Sequence, residues 1–337
     1  MKIAVVGAGA IGSYLGAKLS LTGQDVFLIA RGQQLRALQE HGVTLRDHDG
    51  EVKSSPVTTD NYAEVGPVDY VFLTVKSYSL SEIAPQISPL LDEHTSVVSA
   101  QNGIPWWYFY RDGGLYQDRN IHALDPKENI RRAIDPKRII GCIVYPSTYL
   151  AEPGVVVHVE GNRFAIGELN GETTERCRKL SRVLIDSGLK SPIRSRIRDD
   201  MWAKLIGNVA FNPISALTKA TLSEIISDPL TRKLSFEVMG EAERIANKLG
   251  ITIPVSAEQR LRGAEKVGNH KTSMLQDIEN HKPLELDALL GSIIELGKIV
   301  EVESPLINAL FACTNLLTRS YLAMPDTPII MNKDYEP

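Results

Sequence analysis

Gly7, Gly9 and Gly12 follow directly on a short β-branched run, Ile3 to Val6, and lead into a helical apolar spacing through Leu15, Leu19 and Leu21. Asp25 to Ile29 reads as a second strand and ends in Ala30-Arg31. A G-x-G-x-x-G spacing means little alone, and in a strand–turn–helix–strand unit it marks a dinucleotide site. Gly7 permits the tight turn, Gly9 lets backbone approach a pyrophosphate, and Gly12 lets helix and strand pack closely. The helix that starts here would offer free N–H groups and a partial positive charge to phosphate. The segment Gly7, Ala8, Gly9, Ala10, Ile11 and Gly12 is therefore the expected cofactor-binding turn. The plain alternative is a glycine-rich turn with no ligand.

The end of the second strand bears on which nucleotide is bound. An acidic residue there would hold the ribose hydroxyls of NAD and repel a 2′-phosphate, whereas an arginine fork binds one. Arg31 occupies this place, so the expected cofactor is NADPH. Read blandly, it is an exposed arginine at a strand end.

The chain of 337 residues has room for two cores, and its net charge of −4 gives no electrostatic case for nucleic acid or an anionic membrane. Cys142, Cys177 and Cys313 are isolated, which suits a reducing compartment and argues against zinc. The apolar start is broken by glycines and lacks a cleavage pattern, and no apolar run approaches membrane-spanning length. The expectation is a cytoplasmic protein without nucleic-acid or membrane partners.

Apolar strands alternate with helical spacing along the first half. Asp69 to Val75 is a nearly continuous apolar strand ending in Lys76, and Ser96 to Ala100 is another, ending in Gln101-Asn102-Gly103. Alternation of this kind predicts an α/β fold with a doubly wound parallel sheet, Rossmann-like, whose ligands lie beyond the carboxyl ends of the strands. Gly7–Gly12, Lys76 and Asn102 should then share one crevice. Singly, Lys76 is an ordinary solvated lysine and Asn102-Gly103 a common turn.

Residues 104–137 stand apart. Trp106-Trp107-Tyr108-Phe109-Tyr110 opens them, and the sequence leaves core, lid and subunit contact open. A strand over 138–145 follows, then a strand pair bracketing a turn, Pro153 to His158 with Arg163 to Gly167. Thr173 to Ser187 is an amphipathic helix with Gly188 as its C-cap. From Arg198 onward only helical patterns appear, over 198–211, 222–227, 230–249, 255–267, 274–279, 283–301 and 305–322. The expected organisation is a nucleotide-binding domain over 1–196, an all-helical C-terminal domain over 197–325 and an irregular tail over 326–337.

A nicotinamide cofactor supplies hydride, so the protein must supply a proton, hold an anion and orient a carbonyl. Lys204, Asn208 and Asn212 recur every four residues and would line one stripe of a helix beside Met201 and Leu205. Such a row is otherwise a solvated border. Ser273 opens Ser-Met-Leu-Gln-Asp277, and Glu285 follows Pro283 early in an expected helix, where an acid also serves simply as helix-dipole decoration. The seven histidines show no metal-ligand spacing, and no metal is expected.

Read together, these residues resemble the ketopantoate reductases, also called 2-dehydropantoate 2-reductases, over nearly the whole chain. The likeness runs through Gly7-Ala-Gly-Ala-Ile-Gly12, Thr74-Val-Lys76, Gln101-Asn-Gly103 and Pro153-Gly-Val-Val-Val-His158. It continues in Trp202-Ala-Lys204, Asn208, Asn212-Pro213, Ser273-Met-Leu-Gln-Asp277 and Glu285. The resemblance implies NADPH-dependent reduction of 2-dehydropantoate to (R)-pantoate, a step towards pantothenate and coenzyme A. It implies Lys204 as general acid and Asn208, Asn212 and Ser273 as substrate ligands. Glu285 would orient substrate and Lys204, while Arg31, Lys76 and Asn102 would fall on the cofactor side, Asn102 also close to substrate. Two features depart from the family pattern: the long 104–137 segment, and Leu222 where the family often has a further substrate-binding asparagine. They keep open a related reductase of another 2-oxo acid or imine. An NADP-binding protein without turnover is a third reading, and Lys204 and Glu285 argue against it. A homodimer and a monomer both fit the sequence.

Overall fold

The computed structural model describes residues Met1–Leu322, so the expected tail over 326–337 lies outside the described residues. The chain divides into two compact units, Met1 to Asp200 and Met201 onward, and the division falls inside one helix.

In the first unit β1 (Lys2–Val6), α1 (Ala10–Leu21), β2 (Asp25–Ile29) and α2 (Gly32–His41) realise the opening of the sequence. A hairpin of β3 (Val43–Asp47) and β4 (Gly50–Ser54) follows, then β5 (Val57–Thr59), α3 (Tyr62–Val65) and β6 (Tyr70–Leu73). Next come α4 (Leu80–Ile83), flanked by 3-10 turns, β7 (Ser96–Ser99), α5 (Asn129–Ala133) and β8 (Ile139–Val144). The unit is completed by β9 (Ser147–Glu152), β10 (Val155–Glu160), β11 (Phe164–Glu168) and α6 (Glu175–Asp186).

Seven strands form one sheet in the order β11-β8-β7-β6-β1-β2-β5, and all pairs are parallel except β11 with β8. β6, β7 and β8 are buried along their whole length. This is why β6 and β8 read as unbroken apolar runs rather than alternating ones, while β7 is a Val-Val pair between two buried serines. The chain leaves β1 towards β2 and later returns to β6 on the other side of β1. The strand order therefore reverses between β1 and β6, and a crevice opens at their carboxyl ends.

A second, four-stranded sheet, β4-β3-β10-β9, was not legible as such. The expected pair of Pro153–His158 with Arg163–Gly167 does not form. β10 pairs with β9 and β3, whereas β11 lies antiparallel to β8 in the large sheet. β9 gave no apolar signal because its strand is half-buried to exposed throughout. The aromatic run belongs to the core: Trp106, Trp107, Tyr108 and Phe109 are all buried. The Arg198 guanidinium fastens this run, donating to the carbonyls of Tyr108 and Tyr110 at 2.7 and 2.6 Å and of Leu169 at 2.6 Å. Three carbonyls replace the water that this half-buried guanidinium loses.

α7 (Ile197–Thr218) runs seven residues past the predicted 211, straight through Pro213. A proline in a helix interior removes one hydrogen bond and crowds the preceding turn. Here burial outweighs it, since Trp202, Ile206, Val209, Ala210, Phe211 and Ile214 are all buried. The described part of the second unit continues with α8 (Leu222–Ser227), α9 (Pro229–Lys248), α10 (Ala257–Val267), α11 (Ser273–Glu279), a π-turn over Asp287–Gly291, α12 (Ser292–Ile299) and α13 (Pro305–Leu322). Its starts are explicit. Thr221 with Glu224 and Ser256 with Gln259 form capping boxes, and Asp228 accepts from Leu230 and Thr231. The buried Glu241 of α9 accepts the Leu306 and Ile307 N–H groups, both at 3.0 Å, which satisfies the first turn of α13. Among the described residues no helix is long and apolar enough to cross a membrane.

Candidate active site

The three glycines of the opening turn differ in what surrounds them. Gly7 has φ +107°, and a Cβ there would lie 2.7 Å from Val75 Cγ1 and 2.8 Å from Val75 N. A Cβ on Gly12 would lie 2.1 Å from the Gly7 carbonyl oxygen and 2.7 Å from Thr74 Oγ1. Around a Cβ on Gly9 there is nothing within 4 Å. Gly7 and Gly12 are thus demanded by the protein itself. Gly9 is not, and leaves an open approach to backbone. Gly9 is also the N-cap of α1, with no side-chain cap and no acid in the first turn. Its orphan N–H groups and positive helix end suit an anionic diphosphate. The residues present therefore fit a dinucleotide.

Thr74 holds the turn from the neighbouring strand end, its Oγ1 donating to the Gly7 carbonyl at 2.8 Å. Lys76 follows β6 and Asn102 follows β7, so the turn, the lysine and the amide stand at the carboxyl ends of three adjacent parallel strands, as the sequence reading expects. Lys76 and Asn102 are half-buried. Arg31, beyond the end of β2, is the N-cap of α2 and exposed, and its guanidinium stands 3.3 Å from the exposed Glu82 carboxylate. A surface pair of this kind is weak and readily exchanged for a better anion.

In the second unit Lys204, Asn208 and Asn212 lie along α7 at successive four-residue steps. Lys204 and Asn208 are half-buried and Asn212 is buried. Ser273 is the first residue of α11 and exposed, behind the buried N-cap Thr272. The start of α8 is tied to the chain before Ser273: the Leu222 N–H donates to the His270 carbonyl at 3.0 Å, and Ser223 Oγ donates to Asn269. The Leu222 position and the Ser273 loop thus belong to one neighbourhood. Glu285 corrects an expectation. It is not an early helical residue but stands before the helix, buried, with its carbonyl accepting from Leu289 N–H at 3.2 Å. The carbonyl bond makes it the N-cap of the turn that follows, at the positive helix end, and its burial is what sets it apart from an ordinary surface acid there.

Several residues of these neighbourhoods were missed. Ser13, Gln34 and Glu82 carry no motif of their own and become visible only through the groups they face, and Thr74, quoted only as part of Thr74-Val-Lys76, proves to hold the glycine turn. Asp287, in the Leu284-Glu285-Leu286-Asp287 row, is given no role by the sequence. It opens a π-turn, a rare insertion often found at functional sites, and burial pushes its carboxyl above the usual range.

The family model described as ketopantoate reductase PanE/ApbA matches residues 3–171, and its C-terminal companion matches residues 196–318. The chain belongs to this family. It is an oxidoreductase that draws on NAD(P)H. It is 46% identical to a 2-dehydropantoate 2-reductase of Mesorhizobium japonicum, over 94% of this chain and 98% of the relative. A crystal structure from Ralstonia solanacearum MolK2 shares 36% identity over 95% of this chain and 98% of its own, with a TM-score of 0.91. A ternary structure of D-mandelate dehydrogenase with NADH and anilino(oxo)acetate has a TM-score of 0.82 at 23% identity, over 95% of this chain and 99% of that one. The last likeness is one of fold alone.

Proposed function

We propose that this chain reduces 2-dehydropantoate to (R)-pantoate with NADPH. The observation that carries the reading is 46% identity to a 2-dehydropantoate 2-reductase across 94% of the chain, so that both units share in it. When bound, the nicotinamide supplies hydride to the C2 carbon of the ketone. Gly7–Gly12 hold the diphosphate, Arg31 holds the 2′-phosphate, and Lys76 and Asn102 stand on the nicotinamide side. Lys204 is the general acid. Its ammonium stabilises negative charge growing on the ketone oxygen and then gives that oxygen a proton, leaving a neutral amine. Asn208, Asn212, Ser273 and Asn102 bind substrate. Neutral amides and a hydroxyl orient a carboxylate without burying a second strong cation. Glu285 would repel the substrate carboxylate, so it faces the hydroxyl end or keeps Lys204 charged. The reading places the enzyme in the cytoplasm, as a monomer or homodimer acting on a small 2-oxo acid.

A second reading, reduction of another 2-oxo acid or an imine, is favoured by Leu222. That half-buried apolar side chain replaces an asparagine expected among the substrate ligands. NADPH oxidation across a panel of 2-oxo acids decides between the two. The first reading expects the highest kcat/KM with 2-dehydropantoate, and a clear preference for another acid would replace it with the second.

A further inference from the structure

The motif Pro153 to His158 carries none of the chemistry above, yet it packs against the helix that opens at the glycine turn. His158 of β10 is stacked on Tyr14 of α1, with ring centroids 4.7 Å apart and planes at 26°. In the β9–β10 turn the Gly154 N–H donates to Gln34 Oε1 at 3.0 Å. Gln34 lies in the first turn of α2, half-buried, and its Nε2 donates to the Ala8 carbonyl at 2.8 Å and to Ser13 Oγ at 3.2 Å. Ser13 Oγ donates to the same carbonyl at 3.0 Å. A backbone N–H only donates and a backbone carbonyl only accepts, so these two neighbours leave the Gln34 amide one orientation. Two donors therefore converge on one carbonyl inside the glycine turn, and one of them is fixed from the small sheet.

In a planar trans peptide the carbonyl and the following N–H point in opposite directions. Drawing the Ala8 carbonyl towards Gln34 and Ser13 thus turns the Gly9 N–H away from them. If the same peptide were rotated, a carbonyl oxygen would face the diphosphate and repel it. We propose that Gln34, anchored by Gly154, is a positioning residue that fixes the Ala8–Gly9 peptide with its N–H towards the diphosphate of the dinucleotide. This rests on the reading of the glycine turn as a dinucleotide site.

The diphosphate is common to NADPH and NADH, so the effect should not discriminate between them. Titration of the full-length protein with each nucleotide, followed by cofactor fluorescence, tests this alongside kcat and KM with the best 2-oxo acid. Gln34→Met keeps the length and removes both polar atoms. It should raise both dissociation constants by the same factor, about tenfold, with kcat at saturating NADPH within about twofold of wild type. Ser13→Ala removes the second donor and should raise both about threefold. Gln34→Glu keeps the acceptor for Gly154, loses the donor and should bind no better than Gln34→Met. A folded Gln34→Met with unchanged affinity for both nucleotides, or with a loss confined to NADPH or to kcat, would overturn the proposal. Should Gln34→Met not fold, an unchanged affinity in Ser13→Ala overturns it instead. Wild-type protein that binds neither nucleotide would refute the dinucleotide reading itself, a different outcome from either.

Discussion

In the first unit the positions proposed for the cofactor include three, Gly7, Gly9 and Gly12, where a side chain is missing. In the second, the positions assigned to substrate are side chains on helices that would form without them. Gly7 and Gly12 are excluded from carrying a Cβ by Val75, Thr74 and the turn's own carbonyl. Nothing comparable compels a lysine at 204 or asparagines at 208 and 212, because α7 is held by its buried apolar residues. Backbone geometry restricts residue type severely and leaves a mark in the sequence. A functional side chain on a well-packed helix leaves only its chemistry.

That contrast breaks most sharply at the glycines. Gly12→Ala must push Gly7 or Thr74 aside, and is expected to cost about 2–3 kcal/mol of stability and to weaken NADPH binding more than about 100-fold. Gly9→Ala meets no protein atom within 4 Å. Its melting temperature should stay within about 2 °C of wild type while NADPH affinity falls at least about tenfold, since only the ligand needs the space. Thermal unfolding and cofactor titration of the two variants check both halves of the statement. Equal behaviour of Gly9→Ala and Gly12→Ala would erase the distinction between a glycine kept for packing and one kept for a ligand.

Arg31→Ala sharpens the comparison within the nucleotide side. NADPH affinity should fall about tenfold and NADH affinity should stay within about twofold. Equal losses would mean that Arg31 does not read the 2′-phosphate.

The smallest effect belongs to the second unit. Burial raises the Asp287 pKa in the folded chain. A carboxyl raised by folding adds stability below its unfolded pKa and loses it as pH climbs through the folded one. Asp287→Asn should therefore stabilise the protein by a few tenths to about 1 kcal/mol at pH 7. The gain should vanish below about pH 4, where wild-type Asp287 is neutral as well. Urea unfolding at the two pH values measures it.

What the sequence disclosed follows the same divide. The glycine turn, the strands β6 and β7 and the Gly188 stop of α6, one residue past its C-cap Ser187 and at φ +79°, were legible because each rests on local constraints. Strand pairing was not: Pro153–His158 and Arg163–Gly167 are separated by a short turn, yet β10 joins β3, more than a hundred positions earlier. β9 hid because neither face gives an apolar run. The aromatic run at 106–109 was left undecided, since aromatic side chains serve core and interface equally well. In the fold it is buried, and its backbone is held by Arg198, ninety residues away from Tyr108. The helix expected from Pro283 starts only after Glu285, because a proline marks a helix start to within a few residues and no closer, and the π-turn over Asp287–Gly291 then breaks the 3.6 period. Among the site residues, the row on α7 could be seen as a row, but only its resemblance to a known family gave its members separate roles.

The claim on which everything else depends is that Lys204 of the helical unit protonates the ketone that the nicotinamide reduces. The direct measurement is turnover of Lys204→Ala beside its affinity for NADPH. Turnover should drop by at least about 10²-fold with the NADPH dissociation constant within about twofold of wild type. Near-normal turnover in that variant would contradict the assignment.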